Sequence, residues 1–577
     1  MTHFAKLTFL FLTSFATSCA LLPSQQSSSQ SQASPTPQAT KAPLPRVTSS
    51  FEKETLYDLL VAEFANKRGR QDLALGHYQK QAHITKDAQV TARATQIAQQ
   101  IGAQQAILDT SMLWIEIDPK SIHARVTATL QLLRYKQFDK ALDQVEALLG
   151  LSPTLNYEQL LRDTARANND QRTQIIKRLG KLTANHPKNA QLWVMKAILE
   201  NIDNLMTDAS QSVNNALLIN PRYTNAILFN SALLLKLGKH QEALAYLEQQ
   251  SSNFPLDRKL GIAYSKALAN HKDHPKLTSQ LTTLAKNFPN DATVLLATSQ
   301  IAQSNGLTPL AKTHLNLMIK QDIRTVEAYS FLARIALFEK DLDLAIEHLR
   351  NIQPGVGYST AQIQIASIQQ QQGNIQEAQA TLHAARTLSP SDEINFYLAE
   401  AELLTKNNQH QDSIETLNIV LNKNPKAFNA LYMRAMVYAE LQQYDIMERD
   451  LRFVIKQQPD NSAALNALGY TLVDRNDRLE EATNLIEKAY ELSPNDPAII
   501  DSLGWLKYRM GDNKTALTLL KKAYILFQDQ EIAAHLGELL WITGNQDEAK
   551  AIWKSGLKTS PNSKVIQETI ERLMPAS

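Results

Sequence analysis

Apolar residues recur along this chain at helical spacing, and the pattern is interrupted at one fixed interval. In its clearest stretch Ile500, Leu503 and Gly504 mark one side of a helix, and Ala516, Leu520 and Ala523 mark one side of the next. Recurrence at i, i+3 and i+4 places such residues on a single helical face. Prolines supply the interruptions. They stand at 119, 153, 187, 221, 255 and 289, in steps of 34, and the series resumes at 390, 425, 459, 494 and 561. Lys86, Ile323, Gly357 and Gln528 fill the missing steps. Over residues 51–561 this spacing predicts fifteen helix–turn–helix repeats.

Three further columns agree when proline is set at position 32. Position 20 is alanine at Ala74, Ala141, Ala209, Ala243, Ala311, Ala345, Ala378, Ala482, Ala516 and Ala549. Position 8 is small at Ala62, Ala197, Ala333, Ala366, Ala401, Ala435, Gly469, Gly504 and Gly537. Position 15 holds Gly69, Gly102, Gly238, Gly306, Gly373, Gly511 and Gly544. Small residues at 8 and 20 let two helix axes approach closely. Glycine at 15 takes the left-handed conformation that ends a helix, and proline at 32 ends the second helix. Pro275 and Pro309 fall where a second helix begins, where a missing N–H is harmless. Two repeats break the pattern and are expected to be distorted: residues 154–187 carry Asp163 at position 8, and the repeat ending at 289 carries Leu277 in place of alanine.

A 34-residue helix pair with these columns resembles the tetratricopeptide repeat. The resemblance implies an all-α solenoid, a right-handed superhelix of about fifteen repeats with a concave groove. A last amphipathic helix, within a segment 562–577, should cap it. Val565, Ile566, Ile570 and Leu573 would cover the final repeat, and Lys564, Gln567, Glu568, Glu571 and Arg572 would meet water.

The first fifty residues read differently. Lys6 precedes a short apolar stretch that ends at Ser18, which suits a leader over 1–18 and is too short for a spanning helix. Ala16-Thr17-Ser18-Cys19 resembles a bacterial lipobox. That likeness implies that Cys19 becomes a lipidated first residue, and Ala20 after it favours the outer membrane. Residues 20–50 hold eight Ser, five Gln and five Pro. With Cys19 they form an expected tether, too poor in apolar area to offset its ordering entropy.

Composition narrows the function. There are 59 Lys+Arg against 57 Asp+Glu, a net +2, so nothing pulls the chain toward nucleic acid. One cysteine excludes an internal disulfide and a multi-cysteine metal site. No P-loop, H-E-x-x-H, G-x-S-x-G or G-x-G-x-x-G motif occurs. The thirteen His are scattered in the sequence, and His271 and His274 read as a solvated turn. The carboxylates are expected to be dispersed on exposed faces. No enzyme, metal or cofactor is expected.

By the family resemblance, positions 2, 5, 9, 12 and 13 of each first helix face the groove. In the C-terminal repeats they hold Tyr432, Glu440, Asn466, Tyr470, Asp474, Asp501, Trp505, Tyr508, Arg509, Glu538 and Trp541. Aromatics with a polar tip, plus arginine, are common anchors of a protein-binding surface. The same spacing also suits Tyr470, Trp505 and Trp541 packed as core. The run Ala464-Leu465-Asn466-Ala467-Leu468-Gly469-Tyr470, followed by Leu485-Ile486-Glu487-Lys488-Ala489 and Asp501-Ser502-Leu503-Gly504-Trp505, resembles proteobacterial outer-membrane repeat lipoproteins. Some of these partner a carboxyl-terminal processing protease and bring it substrates such as cell-wall hydrolases. The resemblance therefore implies a non-catalytic, periplasm-facing adaptor. An assembly factor for a pilus secretin or polysaccharide exporter, and a glycan-binding subunit, remain alternatives.

Overall fold

The structure, a computed structural model, describes residues 51–574. The expected leader, Cys19 and the whole of the tether lie outside the described residues, as do the last three residues of the expected cap segment. Among the described residues there are 31 α-helices and no strand. They fall into fifteen consecutive pairs and one final helix, as the 34-residue spacing predicts. Two compact units divide them: 51–324 holds eight pairs, and 325–574 holds seven pairs and the final helix. Within each unit a pair packs mainly on its sequence neighbours, and among the described residues no helix is long and apolar enough to cross a membrane.

Each sequence column has a structural counterpart. All ten position-20 alanines are fully buried. Position 8 faces them across the pair. A Cβ built on Gly537 would lie 2.1 Å from the Trp553 indole nitrogen, so the helices approach as closely as they do only because that residue lacks one. Position 15 adopts positive φ in fourteen of the fifteen repeats. The seven glycines do so, and Lys136, Asn204, Lys272, Lys340, Asn408, Gln442 and Asn476 fill the column elsewhere. The left-handed turn is thus a property of the repeat, kept even where a side chain makes it costly. The proline column has a companion too. Ser121, Asn189, Asp257, Asp291, Asn461 and Asp496 each stand two residues after a proline, and each caps the next first helix through its side-chain oxygen.

The repeat without a positive-φ turn is the one flagged by Asp163. Its first helix, Tyr157–Leu161, has five residues and passes into a 3-10 turn, Arg162–Arg166. A carboxylate at position 8 would be pressed against the second helix. The loosened turn instead leaves Asp163 about half exposed, 3.8 Å from Arg166. The repeat with Leu277 departs from expectation: its helices Arg258–His271 and His274–Asn287 are both full length, and Leu277 is buried between them. Its first helix carries Gly261, where a Cβ would lie 2.4 Å from Leu284 of the second. The final helix, Lys564–Leu573, buries Ile566 and packs Val565, Ile570 and Leu573 against Trp553 and its neighbours, as a cap should.

Candidate functional site

The C-terminal unit gathers polar and aromatic side chains on three successive first helices, Ser462–Asp474, Pro497–Arg509 and Gln530–Ile542. Residues four apart on a helix share a face. The first helix therefore presents Asn466 with Tyr470, the second Asp501 with Trp505, and the third Glu531 with His535. His535 is the hub. Its Nδ1 lies 2.8 Å from Asp501 Oδ2, and its Nε2 lies 3.3 Å from the Tyr470 hydroxyl. The Trp505 ring stacks on its imidazole at 4.1 Å between centroids and 17° between planes. Tyr508 leans on Trp505 at 4.9 Å and donates to Glu538 at 3.2 Å. Arg572, from the final helix, donates to both carboxylate oxygens of Glu538.

These groups are enclosed. Asp501 is fully buried, and Glu531, Trp505, His535, Glu538 and Tyr470 are each at most 6 % exposed. Enclosure sets their charge states. Burial, with the charges of Asp529, Asp501 and Asp474 adding to it and His535 opposing, pushes the Glu531 carboxyl up to about 8. Burial works against a charge on His535, but Asp501, through its charge and its hydrogen bond, together with Glu531 and Glu538, raises it to about 9. Burial and the surrounding carboxylates hold the Tyr470 phenol well above its usual range. At neutral pH His535 and Glu531 therefore both hold their protons. Four buried polar atoms here have no hydrogen-bond partner: Asn466 Oδ1, Asp501 Oδ1, Trp505 Nε1 and Glu531 Oε2.

The structure thus links five of the residues read from the groove columns, Tyr470, Asp501, Trp505, Tyr508 and Glu538, with Asn466 one turn before Tyr470 and Asp474 near enough to Tyr470 and Glu531 to act on their charge. The other four are engaged differently. Tyr432 is half-buried against a core that runs from Ala401 to Leu506 and includes Tyr470 and Trp505, and Glu440 lies 3.4 Å from His410. Arg509 is exposed at its helix end. Trp541 packs on Trp553 at 5.8 Å, with Lys550 over its ring. Two expectations are corrected. The carboxylates are not all dispersed, because Asp501, Glu531 and Glu538 are enclosed by Tyr470, Trp505 and Tyr508. Arg572 does not simply meet water, because it reaches back to Glu538. His271 and His274 are exposed, but they end and begin the helices that flank a two-residue turn rather than lying in it. No group of side chains suited to a metal occurs among the described residues.

Sequence reasoning missed Glu531 and His535. Glu531 sits at position 2 of the last repeat, a groove column, so the signal was present. His535 sits at position 6, outside those columns, and only its spacing four residues after Glu531 hints at a shared face.

A tetratricopeptide-repeat family model matches residues 432–497, within the repeats that build the site. The TPR repeat-containing protein PA4667 of Pseudomonas aeruginosa is 33% identical over 497 residues, 86% of this chain and 84% of that one. The chain belongs to the tetratricopeptide-repeat proteins. The Bacteriophage adsorption protein A of Escherichia coli K12 is 32% identical over 104 residues, 18% of this chain and 10% of that protein. Among solved structures, a tetratricopeptide repeat protein from Parabacteroides merdae covers 44% of this chain and 99% of its own at 20% identity and a TM-score of 0.35. Yeast Tom70 covers 90% and 95% at 13% identity and a TM-score of 0.33. Tetratricopeptide repeats serve protein–protein interaction, and this repeat protein is accordingly a protein-binding scaffold. None of the matches assigns it to an enzyme family.

Proposed function

We propose that this repeat protein is a lipid-anchored, periplasm-facing adaptor that holds a partner protein at its C-terminal repeats. In layout it is similar to LbcA, the lipoprotein partner of the carboxyl-terminal processing protease CtpA, and more loosely to NlpI. The observation that carries a binding role is the set of unpartnered polar atoms around His535. Each such group costs about 1–3 kcal/mol when buried unsatisfied. Native proteins rarely keep several together unless something satisfies them. An adaptor needs no catalytic groups of its own, since holding protease and substrate on one chain raises their local concentration. A sugar-stacking role draws little support here, because His535 covers a face of Trp505.

The test is co-purification from envelope extract with crosslinking, followed by cleavage of a cell-wall hydrolase by the recovered protease with and without this protein. The expected result is recovery of a carboxyl-terminal processing protease and faster cleavage when the adaptor is present. Recovery of a secretin or exporter subunit without a protease would overturn the adaptor reading in favour of an envelope-machine assembly factor.

A further inference from the structure

The first and last repeats are finished differently. A stack of repeats needs a polar outer face at each end to stay soluble. At the last repeat the helix Lys564–Leu573 supplies one, with Lys564, Gln567 and Glu571 exposed. At the first repeat no helix precedes Lys53–Lys67 among the described residues, and its outward side is apolar. Leu56, Tyr57, Leu60 and Phe64 are 52%, 68%, 51% and 62% exposed there.

With Ala62 at position 8, Tyr57 and Phe64 occupy positions 3 and 10. In later repeats these two columns seat the second helix of the repeat before. Phe396 and Leu403 share a core with Leu382 and Ala385, Leu192 and Leu199 with Leu179 and Leu182, and Leu539 with Leu520. Short turns join consecutive helices, so the helix seated there runs antiparallel to the one that seats it. The exposed stripe of the first repeat is thus an unfilled seat for an antiparallel helix. With five Pro, eight Ser and five Gln, the sequence of residues 20–50 offers no amphipathic helix to fill it.

The helix Lys53–Lys67 fits its own seat. Leu60 lies midway between Leu56 and Phe64, so a two-fold axis beside Leu60 sets that residue against its own copy and Leu56 against Phe64 of the second chain. The ends then meet with opposite charge. Glu52, Lys53 and Glu54 stand at one end and Lys67 and Arg68 at the other, all exposed and none in an ion pair among the described residues. Antiparallel pairing sets the two carboxylates of one copy against the ammonium and guanidinium of the other, twice over; parallel pairing sets like against like. Four half-exposed side chains and the stems of the flanking charged residues would bury about 1,000 Å² over two copies, the small end of specific interfaces.

We propose that two copies of this chain pair through Lys53–Lys67, antiparallel about a two-fold axis at Leu60. The pairing goes beyond the adaptor role and does not depend on it.

The test is thiol crosslinking of the full chain in intact cells with a short bismaleimide. The parent, whose single cysteine is Cys19, is the control. Leu60→Cys should give a covalent dimer. Coexpressed Leu56→Cys and Phe64→Cys copies should join to each other and neither to its own kind. Tyr57→Ser with Phe64→Ser should lower the Leu60→Cys yield at least about fivefold. Glu52→Lys with Glu54→Lys should lower it about threefold, and adding Lys67→Glu and Arg68→Glu to the same chain should bring it back. Homodimers of Leu56→Cys or of Phe64→Cys would overturn the antiparallel arrangement. No dimer at any of the three positions would overturn the pairing altogether; if Leu60→Cys is then shielded from a water-soluble maleimide until membranes are dissolved in detergent, the face belongs to the bilayer instead.

Discussion

Replacing Glu531 with glutamine tests the electrostatics of the hub directly. Both hub groups hold protons more tightly when folded than when unfolded. Glu531 moves from 4.5 to about 8 and His535 from 6.5 to about 9. A raised folded value contributes stability that is complete below the unfolded value and is lost as pH climbs to the folded one. Glu531 therefore withdraws stability between about pH 4.5 and 8, and His535 between about 6.5 and 9. One proton of difference is worth about 1.4 kcal/mol per pH unit. The two windows overlap between about 6.5 and 8, and the C-terminal repeats should lose about 1–3 kcal/mol per pH unit there. Contacts in a repeat array are local, so the loss should appear as melting of this end rather than of the whole chain. The assay is urea unfolding at pH 5 to 9, followed by tryptophan fluorescence in a Trp114→Phe, Trp193→Phe background. Only Trp505, Trp541 and Trp553 then report, all from the last repeats. Glutamine mimics the protonated acid and does not titrate. The variant should lose about 1.4 kcal/mol per unit less than the parent between pH 5 and 8. A parent curve flat from pH 6 to 8, or an unchanged slope in Glu531→Gln, would refute the assignment of a buried proton to this residue.

Two further outcomes follow from single residues. Lys136 and Gln442 sit exposed in the left-handed column at φ 58°. Replacing either with glycine should stabilise its repeat by about 1 kcal/mol, the left-handed penalty for a side chain less the extra entropy glycine loses; a lower urea midpoint would contradict this. In the other unit His314 is buried, with Nδ1 unpartnered, and burial holds it near 4. Its folded value lies below the unfolded 6.5, so the stability it carries is present above pH 6.5 and lost as pH falls toward 4. At pH 5 the loss should be about 2 kcal/mol. Hydrogen exchange of residues 308–320, corrected for intrinsic rate, should show it, and His314→Gln should remove it.

The array could be read from sequence to the level of single turns because its constraints are repetitive. Ten alanines at one column, seven glycines at another and a proline ruler each record a steric demand that recurs in every pair. The distorted repeat was equally visible, since Asp163 violates one of those columns alone. The site was only half legible for the converse reason. Asn466, Tyr470, Asp501, Trp505 and Glu538 occupy equivalent places on successive helices, so a column argument finds them. Their meeting point depends on His535, one position out of column, and on Arg572, which comes from a helix outside the repeat pattern. Pairwise distances between neighbouring helices are not periodic information, and neither is burial. Trp505 illustrates the cost of that gap. Column 9 predicts a groove aromatic, but with the imidazole of His535 stacked on it the ring is buried beside an enclosed polar cluster. Its indole N–H is buried with no hydrogen-bond partner. Replacing this tryptophan would therefore remove packing and a donor at once. Glu531→Gln and Asp501→Asn remove an ionisable group at nearly constant shape, and for that reason they isolate the electrostatics of the hub where a tryptophan deletion cannot.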